Sequence, residues 1–300
     1  MSPRDLLRPP PHRGPLIAAG GVSLAVGITL TVLRLQETLP IGVDAALLLV
    51  PGALLFWLGA QAPNEQGEPP AYQSVLLCTG LPLVYGGLLV ALGGALDEVP
   101  PDWVLVTVSL AVAVLALWPA LERNSALSLL FAALLVGVAI VAIAPETVRR
   151  WLLLGYAGGL LLCALALRLT ARRHAEVLID AGGLAIATIA VQRYTSGDPT
   201  PQLHAFWELV LLGAGLGLVA FGALDRSPGP AYVGVINLLL FIASAASGTT
   251  LWVWPLFLLA GGVIMLAAGL RPRRPLPPEP DPYRAGEAPL AARAEPPRRG

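Results

Sequence analysis

Apolar residues run along this chain in long blocks separated by short polar breaks. The stretch WLLLGYAGGLLLCALALR, residues 151 to 168, begins with tryptophan, ends with arginine and has nothing charged between them. Ten such runs can be counted, at approximately 15–33, 43–60, 73–95, 103–120, 126–144, 151–168, 176–192, 206–224, 231–247 and 251–270. The breaks between them include APNEQGEPP, DEVPPD, APETVRR, SGDPTPQ and RSPGP. They are rich in proline, glycine and acids, which stop helices and suit solvated loops. Asp44, Asp102, Asn124 or Ser125, and Thr250 stand where N-caps are wanted. The pattern predicts an all-α chain of about ten helices.

Length says what surrounds those helices. Eighteen helical residues place Trp151 and Arg168 roughly 26 Å apart at about 1.5 Å per residue, close to the hydrocarbon thickness of a bilayer. Composition agrees: 56% of residues are hydrophobic and 13% charged, against about 25% charged in a soluble domain. The fold class expected is a polytopic transmembrane helical bundle of ten spans. Formal net charge is zero, so no overall basic field recruits nucleic acid.

Tryptophan favours the headgroup level and arginine the cytoplasmic face, so residues 151–168 are expected to run from outside to inside. Trp103 leads to Arg123, Trp207 to Arg226, and Trp252 with Trp254 to Arg271 in the same sense. With the N-terminus inside, the inner segments before the tail carry Arg4, Arg8, Arg13, Arg123, Arg168, Arg172, Arg173 and Arg226. The outer loops carry Arg34, Arg149, Arg150 and Arg193. The tail adds seven more arginines to the inside, and an even span count then puts both termini in the cytoplasm, with the bacterial cytoplasmic membrane as the expected location.

Residues 1–14 read as a cytoplasmic N-terminal segment, 15–271 as the transmembrane domain and 272–300 as a separate material. The first span follows basic residues but has no small-residue cleavage site behind it in LRLQETLP, so it reads as a retained anchor. The Pro- and Arg-rich tail cannot bury enough surface to offset ordering and is expected to be disordered. Arg271, Arg273 and Arg274, beside the membrane, are expected to touch anionic lipid.

Internal similarity is visible. GALLFWLGAQAPNEQGEPPAY (52–72) resembles GLGLVAFGALDRSPGPAY (215–232), and both end in PAY at the start of a helix. WLLLGYAGGLLLCALALR likewise resembles WELVLLGAGLGLVAFGALDR (207–226). The pattern suggests helical hairpins of roughly 50 residues repeated with unchanged orientation. In span count the chain resembles the drug and metabolite transporter superfamily, whose halves are five spans each and inverted. Here span two matches span eight, an even offset that preserves orientation, so the resemblance stops at the count and carries no residue across. Gly155 with Gly159, Gly213 with Gly217, and Gly86, Gly87, Gly93 and Gly94 are expected to bring helices together, and Pro82 to bend span three.

Few ionisable residues reach membrane depth, where each is costly and a default functional candidate. Asp44 and Glu208 lie in or beside first turns, where the helix dipole accommodates them. Asp180 lies about one turn inside span seven, and Glu176, four residues earlier, shares its face. Gly183, Ala187 and Ala190 continue that face, which should look into the bundle. The two carboxylates are candidates for a proton or cation site near the cytoplasmic mouth; the simpler reading is that they pair with Arg168, Arg172 or Arg173. Asn237 and Ser244 form a second polar stripe in span nine, most simply an interhelical hydrogen bond. Glu176, Asp180 and Asn237 make up the candidate intramembrane polar site.

Catalytic motifs do not emerge. GxSxG, HExxH and a phosphate-cradling glycine loop with lysine are missing, and His12, His174 and His204 have no metal-ligand spacing. Cys78 and Cys163 sit apart in apolar runs as small hydrophobes. The expectation is a non-enzymatic membrane protein without cofactor, metal or nucleic-acid partner. Its function is either transporter-like movement of a small solute or ion, or that of a structural or partner-binding subunit; a homo-oligomer or a membrane partner fits either.

Overall fold

A computed structural model describes residues 14–35, 38–62, 70–94, 101–195, 205–246 and 262–263. The tenth apolar run, the tail, Thr250, His12, His204 and the arginines at 271, 273 and 274 lie outside this description, apart from the helical pair 262–263.

The described residues form helices and no strands: α1 (Gly14–Leu35), α2 (Ile41–Gln61), α3 (Ala71–Gly94), α4 (Asp102–Glu122), α5 (Ala126–Ile143), α6 (Glu146–Leu167), α7 (Arg172–Thr195), α8 (Ala205–Asp225) and α9 (Pro228–Ala246). Among the described residues, all nine are long and apolar enough to cross a membrane. Their outward side chains are large and apolar: Val114, Leu121, Ile143, Leu162 and Leu165 are all exposed. In water such a surface would drive aggregation; in hydrocarbon it costs nothing.

Proline starts these helices more than capping side chains do. Pro40, Pro101 and Pro145 hold the N-cap positions of α2, α4 and α6 in extended conformation, since the ring fixes φ and the missing N–H is one that a helix start cannot pair anyway. Asp44 and Asp102, expected as N-caps, lie instead within the first turns. Ser125 does precede α5, but its hydroxyl pairs with that of Ser128 at 3.0 Å and leaves the backbone uncapped. α4 and α8 end in left-handed residues, Asn124 and Arg226, each with φ 55°. At the second, Ser227 N–H returns to Gly222 O at 3.1 Å, which closes α8 by a Schellman turn.

Successive helices pack as antiparallel hairpins, α2 with α3, α4 with α5, α6 with α7 and α8 with α9. Glycine sets the close approach in two of them. A methyl on Gly52 would lie 3.2 Å from Gly80 O, and one on Gly80 would lie 2.7 Å from the Phe56 amide nitrogen. In α8 and α9, a methyl on Gly215 would lie 3.1 Å from Gly234 O, and one on Gly234 would lie 2.8 Å from the Val219 nitrogen. Further along, Gly59 meets Leu77 and Gln73 O, while Gly222 meets Ala231 and Ser227 O. α1 and α7 dock on these hairpins in the same way, Gly21 against Leu55 and Thr79, Gly183 against Leu218 and Val233. At these glycines α1–α3 and α7–α9 therefore share a common register, although the nearest neighbour of Gly21 is Leu76, which has no counterpart at Gly183.

This register tests the sequence similarity. The glycines of 52–59 and 215–222 coincide as the match requires. The PAY segments do not: the packing sets Tyr72 opposite Arg226, six residues before Tyr232. Six residues turn a helix by about 240° at 3.6 residues per turn, and accordingly Tyr72 is buried while Tyr232 is exposed. Gly155, Gly159, Gly213 and Gly217, expected to make helix contacts, have nothing among the described residues within 4 Å of their Cβ positions. α6 packs through Leu153, Ala157 and Ala164, and α8 through Gly215 and Gly222, faces that those GxxxG pairs do not share.

Candidate functional site

The bundle has chemically distinct ends. At one, Trp151 packs on Phe206 and Trp207, with ring centroids 5.5 and 5.0 Å apart. At the other end of the same helices lie Arg168, Arg172 and Asp225. The tryptophan-to-arginine polarity read from the sequence is thus an arrangement in space. Trp207, however, is buried beneath its neighbours, so its ring packs inside the protein and not at a headgroup.

α7 is the most enclosed of the described helices, with 56% of its apolar window buried. It packs against α5, α6, α8 and α9. Gly183, Ala187 and Ala190 are buried, so the small-residue face does look into the bundle. The helix begins in a charged corner. Arg172 Nε donates to Glu176 Oε1 at 3.1 Å, and its terminal nitrogen donates to Asp225 O at 2.7 Å and pairs with Asp225 Oδ1 at 3.3 Å. Glu176 Oε2 accepts from Ser227 Oγ at 3.1 Å. Arg168 reaches Asp225 Oδ1 at 3.8 Å and lies over the Phe221 ring at 5.8 Å. The guanidinium at the foot of α7 thereby occupies the carbonyl end of α8, where the helix dipole favours a cation. A cavity of about 100 Å³, lined by Ala164, Arg168, Arg172, Glu176, Phe221 and Asp225 among others, opens beside this corner.

Among the described residues, pairing with arginine, expected for both acids, holds for Glu176 alone. Asp180, one turn further in, meets the start of α9 instead: a Cβ on Gly229 would overlap Asp180 Oδ2 and sit 3.2 Å from Oδ1. Asp180 is half-buried, and its Oδ1, shielded from solvent, has no hydrogen-bond partner among the described residues. The first turn of α9, Pro228-Gly229-Pro230-Ala231, has prolines at two of its positions, so little N–H capacity is left to satisfy a carboxylate.

Asn237 is fully buried halfway along α9. Its Nδ2 donates to Gly183 O at 3.1 Å and to Val233 O at 3.0 Å, across the seam to α7. The interhelical hydrogen bond read from the sequence is therefore present. Its Oδ1, however, has no partner among the described residues. Glu176, Asp180 and Asn237 all border the α7/α9 seam, Asp180 and Asn237 at different depths. Asp225, Ser227 and Gly229 complete the site and were not singled out from the sequence. The signal available was that both helix corners fall at the arginine-rich end.

Among the described residues, no three His, Cys, Asp or Glu side chains come together to hold a metal ion. His174 is buried and donates from Nε2 to Ala120 O at 3.2 Å, tying the start of α7 to the end of α4. Comparison with protein-family models, curated proteins and solved structures gives no match to this chain, so function rests on the site alone.

Proposed function

We propose that the protein is a multi-pass membrane protein that moves a small cation, most simply the proton, along the α7/α9 seam, with Asp180 as the exchanging group and Asn237 as a deeper acceptor. The observation that carries this reading is the pair of shielded oxygens, Asp180 Oδ1 and Asn237 Oδ1, neither with a donor among the described residues. Both border the most enclosed of the described helices. A buried acceptor without a donor is costly, so a chain that keeps two along one seam gains from something that donates to them. In this reading the arginine-bearing end faces the bacterial cytoplasm, both termini lie there, and Arg271, Arg273 and Arg274 meet anionic headgroups.

A second reading, a structural or partner-binding subunit, is supported by the glycine-close hairpins and by the size of the cavity at the corner. That cavity measures about 100 Å³. Proteoliposomes carrying a trapped pH dye decide between the two. Under a potassium diffusion potential, the first reading expects proton uptake above protein-free vesicles, lost in Asp180→Asn while that variant stays folded. Uptake equal to that of empty vesicles removes the proton reading and leaves the subunit reading standing.

A further inference from the structure

We infer that the charged corner is a latch: Arg172, Glu176, Asp225 and Ser227 hold the α6–α7 and α8–α9 turns together and close the seam through which Asp180 is reached. Glu176 lies one turn before Asp180 on α7 and Ser227 two residues before Gly229 at the α8–α9 turn, so their 3.1 Å bond lies across the short way in. Arg172 makes three polar contacts from one guanidinium, two of them on Asp225. With its side chain 59% exposed, it lies on the solvent side of a closure whose inner oxygen is shielded.

The first three-helix unit shows that the fold does not demand these charges. At the positions equivalent to Glu176, Asp225 and Ser227 it carries Gly14, Ala62 and Gln73, and at the position equivalent to Asp180 it carries Ala18. Gly21, Gly52, Gly59 and Gly80 nevertheless make the same close approaches there. Helix packing is therefore achieved without an ionic corner, and of these two units only α7–α9 places an acid one turn behind that corner. Polar contacts with exposed partners are individually weak, which suits a closure that must open.

The inference concerns the regulation of the proposed conduction site, but it stands on access and not on flux. The test uses the full chain in detergent, with Cys78→Ala and Cys163→Ala, bearing Asp180→Cys, and a charged methanethiosulfonate whose attachment is read by mass. A second protein with Leu169→Cys, at a position 96% exposed, reports reagent activity. With the latch intact, the thiol introduced at position 180 should react slowly. Arg172→Gln should accelerate it at least tenfold, and Ser227→Ala, which removes one hydroxyl and keeps the ion pairs, should give a smaller increase. Equal rates at position 180 with and without these changes, whether fast or slow, overturn the latch. Faster labelling together with absent proton uptake keeps the latch and removes the transport reading.

Discussion

The carboxylate of Asp180 and the backbone of Gly229 occupy adjoining space, with no room for a methyl group between them. Gly229 is thereby fixed as glycine by contact and not by backbone conformation. Gly229→Ala should destabilise the protein by roughly 1–3 kcal/mol, the usual cost of overpacking a fitted contact. Combining it with Asp180→Ala should recover most of that loss. Thermal unfolding in detergent measures both, and additive losses in the double variant would show that the two residues do not share the space.

The two glycine sets make a contrast within one molecule. Gly52→Leu and Gly215→Leu should each prevent a stable hairpin, because the added side chain would have to displace Leu83 and Val84 in one case and Leu238 in the other. Gly155→Leu and Gly213→Leu should leave folding unchanged, since no described residue lies within 4 Å of either Cβ position. Yield of monodisperse protein after extraction is the measurement. Loss at position 155 equal to that at position 52 would mean that α6 has a neighbour on that face, such as a second copy of the chain.

The sequence made the membrane spans legible because a bilayer demands an uncharged run of fixed length, and polar breaks such as DEVPPD interrupt such runs unmistakably. It made Glu176 and Asp180 legible because acids are rare at that depth. Contact faces were harder. Gly155 and Gly215 look alike in a string where glycine is common, and only the partner helix separates them. Asp225 and Gly229 escaped notice for the same reason: each matters through α7, more than thirty residues away in the chain. That Asp180 Oδ1 has no partner among the described residues is equally hidden in the sequence, since three arginines lie within twelve residues of it and only the turn of α7 decides that Glu176 takes Arg172.

Orientation has its own test. With Cys78 and Cys163 replaced, cysteines at Glu68 and Arg226 should be shielded from a membrane-impermeant thiol reagent in intact cells, while cysteines at Asp97 and Asp198 should label. The sign follows from the arginine bias of the two ends. Labelling at position 226 from outside would invert the bundle and put the charged corner in the external medium.

Asn237 allows function and packing to be separated, because the molecule contains its own control. The equivalent position in the first three-helix unit is Leu83, which is buried there against Gly52. A leucine is therefore compatible with this packing. Asn237→Leu removes two hydrogen bonds, one of them to its own helix at Val233 O, and interhelical bonds of this kind contribute about 0.6 kcal/mol on average in membrane proteins. It also removes an amide oxygen that has no donor among the described residues, a group that costs free energy to bury. The two effects oppose each other, so the midpoint of thermal unfolding should move by no more than a few degrees. Proton uptake in proteoliposomes should nonetheless fall severalfold if the oxygen is an acceptor along the path. A large drop in thermal stability with uptake unchanged per folded molecule would reverse that assignment and make Asn237 a tie between α7 and α9.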